Sequence, residues 1–295
     1  MKKLRFTTVD VFAEARYSGN QLAVFHNAGT LPEADMQKIA REMNYSETTF
    51  IVSAKMRDNG YKVRIFTPER EVPFAGHPVI GTAYVIQREV VKKPIKKVKL
   101  NLAAGQVPVS IKYRNGDADK VWMKQPEPVF GDTFNVKEVV EVLNLPLSAI
   151  DERFPVQDVS TGLPFIIVPL KTLNDVRAAR IERDKYYDLI KGASAKAIFI
   201  FSPETYESEN ALNARMFADY YGIPEDPATG SANGCLAGYL AKYKYFGEES
   251  VNIRVEQGYE IGRPSLLYLR AEETDGNIEV HVGGNVVMVA QGEFV

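Results

Sequence analysis

The sequence predicts an α+β protein of two pseudo-repeated lobes, each a rolled, mostly antiparallel sheet around a central apolar helix. Three observations carry this. Short segments rich in Val, Ile, Phe and Tyr recur along the chain, separated by Gly, Pro, Asn and Asp. Two helical segments, residues 78–86 and 231–240, have no polar face, and a helix apolar all round must be buried. The third is an internal repeat. Arg64-Ile65-Phe66, then Ala75-Gly76-His77-Pro78-Val79-Ile80-Gly81, matches Arg215-Met216-Phe217, then Ala228-Thr229-Gly230-Ser231-Ala232-Asn233-Gly234. The arginines lie 151 residues apart and the alanines 153. Phe50-Ile51-Val52-Ser53 is likewise aligned with Phe199-Ile200-Phe201-Ser202, and residues 19–24 with residues 162–167. Four weak matches in one order argue for an ancient duplication.

In chain order, strands are expected over residues 6–12, 21–26, 48–53, 62–67 and 106–112. Further strands are expected over residues 120–125, 164–169, 197–201, 213–217, 252–256, 265–270 and 286–291. Thr30-Leu31-Pro32-Glu33 reads as a capping box with proline in the first turn. Behind it, Met36, Ile39, Ala40 and Met43 form one apolar stripe. Asn135 and Glu138 repeat the start signal before Val139-Val140-Glu141-Val142-Leu143. In the two buried helices, Gly81, Ala83, Gly234, Ala237 and Gly238 let sheet backbone approach closely. The polar stretch over residues 113–119 is the expected boundary, giving an N-terminal lobe over 1–117 and a C-terminal lobe over 118–284. Residues 285–295 form a last strand that can return to complete the first lobe, an assignment the sequence leaves open.

At 295 residues the chain is long enough for two cores. Its 36 basic and 38 acidic residues give a net charge of −2 and no electrostatic footprint for nucleic acid. The one basic cluster, Lys92-Lys93-Pro94-Ile95-Lys96-Lys97-Val98-Lys99, is read as a solvated loop and edge strand. Met1-Lys2-Lys3-Leu4-Arg5-Phe6 runs into a strand pattern with no apolar signal core, and no stretch approaches the ~20 apolar residues of a membrane helix. A cytoplasmic protein without a membrane partner is expected. The single cysteine, Cys235, excludes an internal disulfide framework and a multi-cysteine metal site, and the three histidines lack metal-ligand spacing. Gly76 to Gly81 lacks the Lys-Ser or Lys-Thr of a phosphate loop, and no dinucleotide glycine fingerprint follows a strand. Neither a metal nor a cofactor is expected.

Each repeat copy leads from a strand through a glycine turn into a buried helix. The first N–H groups of a helix lack internal partners and carry partial positive charge, so such ends bind carboxylate or phosphate. Two of them facing one cleft would clamp an anionic ligand. The plainer alternative, glycines that only permit a tight entry to a buried helix, stays open. His77 precedes a proline suited to the first turn, so its ring is expected at the helix start, with a lowered pKa and a neutral imidazole. A lone histidine is also commonly a structural hydrogen-bonding residue. Asp226, before Pro227 and just ahead of the second helix, is either a turn residue or an orienter of substrate. Glu47 at a strand start reads on its own as an exposed charge. Cys235, inside the second apolar helix, reads as inert core.

Ser46-Glu47-Thr48-Thr49-Phe50, Phe74-Ala75-Gly76-His77-Pro78-Val79-Ile80-Gly81-Thr82-Ala83 and Glu225-Asp226-Pro227-Ala228-Thr229-Gly230-Ser231-Ala232 together resemble the PhzF family. These are phenazine-biosynthesis-like isomerases with the diaminopimelate epimerase-like fold, and the resemblance covers essentially the whole chain. Gly19-Asn20-Gln21-Leu22-Ala23-Val24 matches a further family segment, with Gln21 where proline is common. The resemblance implies an active site between two lobes, a homodimer, and proton transfer without cofactor or metal. In the phenazine enzyme a glutamate moves a proton between carbons of trans-2,3-dihydro-3-hydroxyanthranilate. Glu47 matches that glutamate, and His77, Asp226, Gly230 and Ser231 match its supporting residues. Asn20, Ser46 and Gly76 carry over as substrate-binding positions. The expected function is a small-molecule isomerase acting on a carboxylate-bearing substrate. Two alternatives remain: a two-base amino-acid racemase or epimerase, disfavoured because neither matching turn holds a cysteine, and a ligand-binding protein without catalysis.

Overall fold

The computed structural model describes residues 3–295; Met1 and Lys2, which head the expected lead-in to the first strand, lie outside the described residues. The chain divides into two compact units. One runs up to Lys124 and resumes over Gly283–Val295, and the other spans Gln125–Val282. The division falls beyond the polar stretch at residues 113–119. That stretch is the tip of a hairpin inside the first unit, where Tyr113 and Arg114 pair with Ala118 and Asp117.

The first unit contains β1 (Leu4–Val11), β2 (Asn20–Phe25), α1 (Glu33–Met43), β3 (Glu47–Ile51), β4 (Tyr61–Phe66), β5 (Glu71–Val72), α2 (Gly76–Val85), β6 (Lys97–Leu102), β7 (Gly105–Arg114) and β8 (Asp117–Lys124). Antiparallel pairs join β1 to β2, β3 to β4, β4 to β5, β6 to β7 and β7 to β8. The C-terminal strand Val286–Phe294 adds to β1 in the same sense. Two pairs are parallel, β2 with β3 and β4 with β6. Parallel neighbours need a crossover. α1 supplies the first and α2 the second. All ten residues of α2 are buried. The helix touches β1, β2, β3, β6, β7, β8 and the C-terminal strand, so the sheet rolls around it. Close approach depends on Gly81, where an added Cβ would lie 2.6 Å from Leu22 Cδ2 and 2.7 Å from Val11 Cγ2.

One local expectation is corrected here. Thr30 sits in a 3₁₀ turn, and the residue capping α1 is Pro32, with no side-chain cap. That helix is held by burial of Met36 and Ala40 in a cluster with Phe25, Phe50 and Phe66. The strand part of the basic cluster is an edge as expected: Lys97, Val98 and Lys99 pair with β7, and β4 joins β6 only beyond them, at Leu100 and Asn101.

The second unit contains β9 (Val129–Thr133), α3 (Val136–Leu143), β10 (Gln157–Ser160), β11 (Pro164–Pro169), α4 (Leu173–Ala178), α5 (Arg183–Ile190) and β12 (Ala197–Ser202). β13 (Leu212–Ala218), β14 (Ile223–Asp226), α6 (Gly230–Lys242), β15 (Ser250–Gln257), β16 (Ser265–Thr274) and β17 (Asn277–Gly284) follow, which makes Val286–Phe294 β18. The pairing scheme repeats that of the first unit. β10 pairs antiparallel with β11, β12 with β13, β13 with β14 and β15 with β16, while β11–β12 and β13–β15 are parallel. β9 stands beside β10 as β18 stands beside β1. α6 is buried along nearly its whole length against β10, β11, β15 and β16. Asn135 caps α3 as expected, accepting from the Lys137 N–H. Among the described residues no helix is long and apolar enough to cross a membrane.

The repeated arginines sit at matching places. Arg64 on β4 forks onto Glu71 of β5 with contacts of 2.7 and 2.5 Å, and lies over the Phe66 ring. Arg215 on β13 forks onto Glu225 of β14 at 2.9 and 2.7 Å, and lies over Phe217. Register then refines the repeat. Phe50 faces Arg64 and Ile200 faces Arg215, so Phe50 corresponds to Ile200 and not to Phe199. The one-residue difference matters because neighbouring side chains on a strand point to opposite faces.

Candidate active site

In the first unit the site begins where β3 and α2 begin. Glu47 is the first residue of β3, paired with Leu22 of the parallel strand β2. His77 is the second residue of α2, after an extended Ala75 and Gly76. Pro78 fits this first turn, where its missing N–H costs nothing. These starts bring His77 Nε2 to 3.4 Å from Glu47 Oε2, with the imidazole buried and the carboxyl largely so. Deeper along the same contact, the Thr49 and Thr82 hydroxyls meet at 2.8 Å.

Burial strips the imidazolium of its hydration and pushes the His77 pKa down to about 3, while a hydrogen bond to the Gln21 main chain pulls weakly the other way. The imidazole is therefore neutral at physiological pH. The cause is burial rather than the helix end alone. Asn20 opens β2 and is buried, Ser46 precedes Glu47 and is half-buried, and Gly76 opens α2. Glu47, His77, Asn20, Ser46 and Gly76 thus belong to one unit.

Asp226, Gly230 and Ser231 belong to the other. Asp226 ends β14 and is buried, with Gly230 and Ser231 opening α6. Thr229 occupies the capping position, yet its side chain does not cap the helix. Its hydroxyl donates instead to Asp226 Oδ2 at 2.5 Å. Beyond it lies Gln257, the fully buried last residue of β15, whose amide bonds to Asp226, Thr229 and Asn233.

Gln257 and Asn233 carry no motif signal. Thr229 before Gly-Ser signals a helix cap, which would have aimed its hydroxyl at the helix rather than at Asp226. Cys235 is buried on α6 with its thiol pushed up to about 12, chiefly by burial, so it is not a reactive thiolate. Among the described residues no group of three or more His, Cys, Asp or Glu could hold a metal ion.

Comparison with known proteins shows the family and the fold. Residues 9–292 match the family model of the phenazine biosynthesis-like proteins. The trans-2,3-dihydro-3-hydroxyanthranilate isomerase of Pseudomonas aeruginosa is 34% identical over 291 residues, covering 98% of each chain. The crystal structure of a Bacillus anthracis phenazine biosynthesis protein of the PhzF family superposes with a TM-score of 0.91 at 26% identity, covering all of both chains. A hydroxyproline epimerase from Agrobacterium vitis, 10% identical with a TM-score of 0.61, covers 100% of this chain and 91% of its own and shares the fold alone. The chain belongs to the phenazine biosynthesis-like, or PhzF, family of isomerases.

Proposed function

We propose that the protein moves a proton between carbons of a small carboxylate-bearing molecule, without a cofactor, and that Glu47 carries the proton. The observation behind this is the couple of Glu47 with a neutral His77 at 3.4 Å. A neutral imidazole places no positive charge beside the carboxyl, so the carboxyl can hold a proton as well as release one. A group that takes a proton from one carbon and returns it to another needs that freedom. His77 can meet either state of the carboxyl through a hydrogen bond, as donor or acceptor according to its tautomer. Asn20, Ser46 and Gly76 bind substrate near Glu47. Asp226, Gly230 and Ser231 take its polar groups, with the α6 N–H groups suited to a carboxylate because Thr229 does not cap them.

Two-thiolate racemisation is disfavoured, since the one cysteine is buried with a raised pKa. A cytoplasmic homodimer belongs to the same proposal, and sedimentation checks the dimer. The P. aeruginosa relative is named for trans-2,3-dihydro-3-hydroxyanthranilate, which makes that acid the first substrate to try. In deuterated water the wild type should convert it with solvent label entering at carbon, before and after exhaustive chelation. Glu47→Gln should keep its melting temperature and lose roughly 10²–10⁴-fold in turnover. Near-wild-type turnover removes Glu47 from the mechanism, and activity that returns only with added metal overturns the cofactor-free assignment.

A further inference from the structure

Four buried side chains at the start of α6 form a hydrogen-bond chain with one possible direction. The Thr229 main-chain N–H donates to Gln257 Oε1 at 3.1 Å, and Gln257 Nε2 donates to the Asp226 main-chain carbonyl at 2.9 Å. A main-chain N–H can only donate and a carbonyl can only accept, so the orientation of the Gln257 amide is fixed. Its second Nε2 hydrogen faces Thr229 Oγ1 at 3.1 Å. With a donor already directed at its oxygen, the threonine hydroxyl sends its single hydrogen to Asp226 Oδ2 at 2.5 Å. Asn233 braces the arrangement, its Nδ2 donating to Gln257 Oε1 at 3.0 Å and to the Thr229 carbonyl at 3.1 Å.

The fold does not need this chain. Matching the arginine-bearing strands, the first unit pairs Tyr61 with Leu100 where the second pairs Leu212 with Val255, so Leu102 stands where Gln257 stands. Ile65 pairs with Val72 where Met216 pairs with Asp226, and Ala75 holds the capping place of Thr229, one residue on from the Ala228 that the sequence repeat matched to Ala75. Leu, Val and Ala build the same strand-to-helix junction without a polar network. The second unit departs from them at three positions together, and the departures converge on one carboxyl.

We propose that Gln257 and Thr229 are positioning residues that fix the Asp226 carboxylate in one orientation, Gln257 holding the Asp226 main chain directly and reaching its carboxylate through the Thr229 hydroxyl. One Asp226 oxygen is thereby committed as an acceptor, and the hydroxyl that would cap α6 is withdrawn from its N–H groups. The assignment rests on Asp226 facing substrate, as proposed above.

The test compares wild type with Gln257→Met, Thr229→Val and Thr229→Ser, each also combined with Asp226→Asn. In ligand-free protein, the carboxyl-carbon NMR resonance of Asp226 should move in Gln257→Met and in Thr229→Val, and stay in place in Thr229→Ser. With trans-2,3-dihydro-3-hydroxyanthranilate, Gln257→Met and Thr229→Val should each lower kcat/KM about tenfold to a hundredfold, the scale of one hydrogen bond to a charged group. Thr229→Ser should restore it, and in the Asp226→Asn background the same substitutions should add little, because they act through the missing carboxylate. Thr229→Val keeps threonine's shape and carries both readouts should Gln257→Met fail to fold. An unmoved Asp226 resonance in Gln257→Met, or losses that multiply undiminished in the Asp226→Asn background, would overturn the proposal. If the wild type does not convert the acid, that substrate is ruled out for this chain, and the resonance still decides this proposal.

Discussion

The two units use one strand scheme and one buried helix each, yet they hang their carboxyls on different strands beside the start of that helix. The first unit holds its carboxyl at the start of β3, where Glu47 meets His77. The matching start of β12 is Ala197. The second unit holds its carboxyl at the end of β14, where Asp226 corresponds to Val72 of the first. What they share is structural: the parallel pairs spanned by helices, and an arginine forked onto the next strand's glutamate. Strand ends and helix starts can change chemistry without disturbing that frame, because they lie where the ladder and the helix have spare hydrogen-bonding groups. Duplication therefore supplied two similar junctions, and each acquired a different acid.

The shared arginine fork gives the largest contrast in stability. The Arg215 and Glu225 side chains are 5% and 11% exposed, and Arg215 also donates to the Val176 and Ala179 carbonyls. Arg64 is 22% exposed, with Glu71 and Glu33 at 31% and 69%. Removing one partner of a buried pair leaves an uncompensated charge and costs about 3–5 kcal/mol, whereas a wetter pair is worth about 1 kcal/mol or less. Arg215→Met should therefore lower the urea midpoint far more than Arg64→Met. Equal losses would mean that burial does not distinguish the two forks.

The central helices give the next contrast. A Cβ at Gly234 would overlap the Gln125 amide, which itself holds the Gly230 carbonyl at 2.9 Å. At Gly81 the obstruction is the methyl ends of Leu22 and Val11, which can yield by a small shift. Gly234→Ala should cost about 1–3 kcal/mol in spite of alanine's better helix propensity, and Gly81→Ala less. Denaturant titration of the two variants ranks them. A stabilised Gly234→Ala would show that Gln125 can move aside without loss.

Much of the frame was legible because it depends on local pattern. Both buried helices were visible in their missing polar faces, and the repeat in Arg64-Ile65-Phe66 and Arg215-Met216-Phe217. β14 was not visible. Its Gly-Ile-Pro-Glu-Asp-Pro reads as a turn, and its ladder is two pairs broken by an irregularity. β17 could have been found, since Ile278, Val280 and Val282 alternate inward. So could α4, whose Thr172 and Asp175 form a capping box.

The candidate site was less legible for a physical reason. Glu47 stood out only through a family motif, because nothing local indicates that the first residue of one strand will face the first turn of a helix thirty positions on. Gln257 is as remote from Asp226, and the pairing of β13 with β15 that brings it there is a long-range event.

A last contrast separates the two helix starts by pH. His77 occupies the second position of α2, and Ser231, which does not titrate, the second position of α6. Burial lowers the His77 pKa from its ordinary 6.5 to about 3 in the folded protein. Between those values the unfolded chain binds a proton that the native state does not, so stability rises with pH through that window and is lost on acidification. The slope cannot exceed about 1.4 kcal/mol per pH unit, and it fades above the upper end of the window. Urea titrations of wild type and His77→Gln from about pH 7.5 down to about pH 5 measure it, with Ser231→Ala as the comparison. Relative to wild type, His77→Gln should gain on acidification, while the gap between wild type and Ser231→Ala stays constant. A wild-type gap to His77→Gln that does not change below its ordinary pKa would mean the folded imidazole takes up its proton normally. Glu47 would then face a cation at acidic pH, and the neutral couple that distinguishes the first junction from the second would be lost.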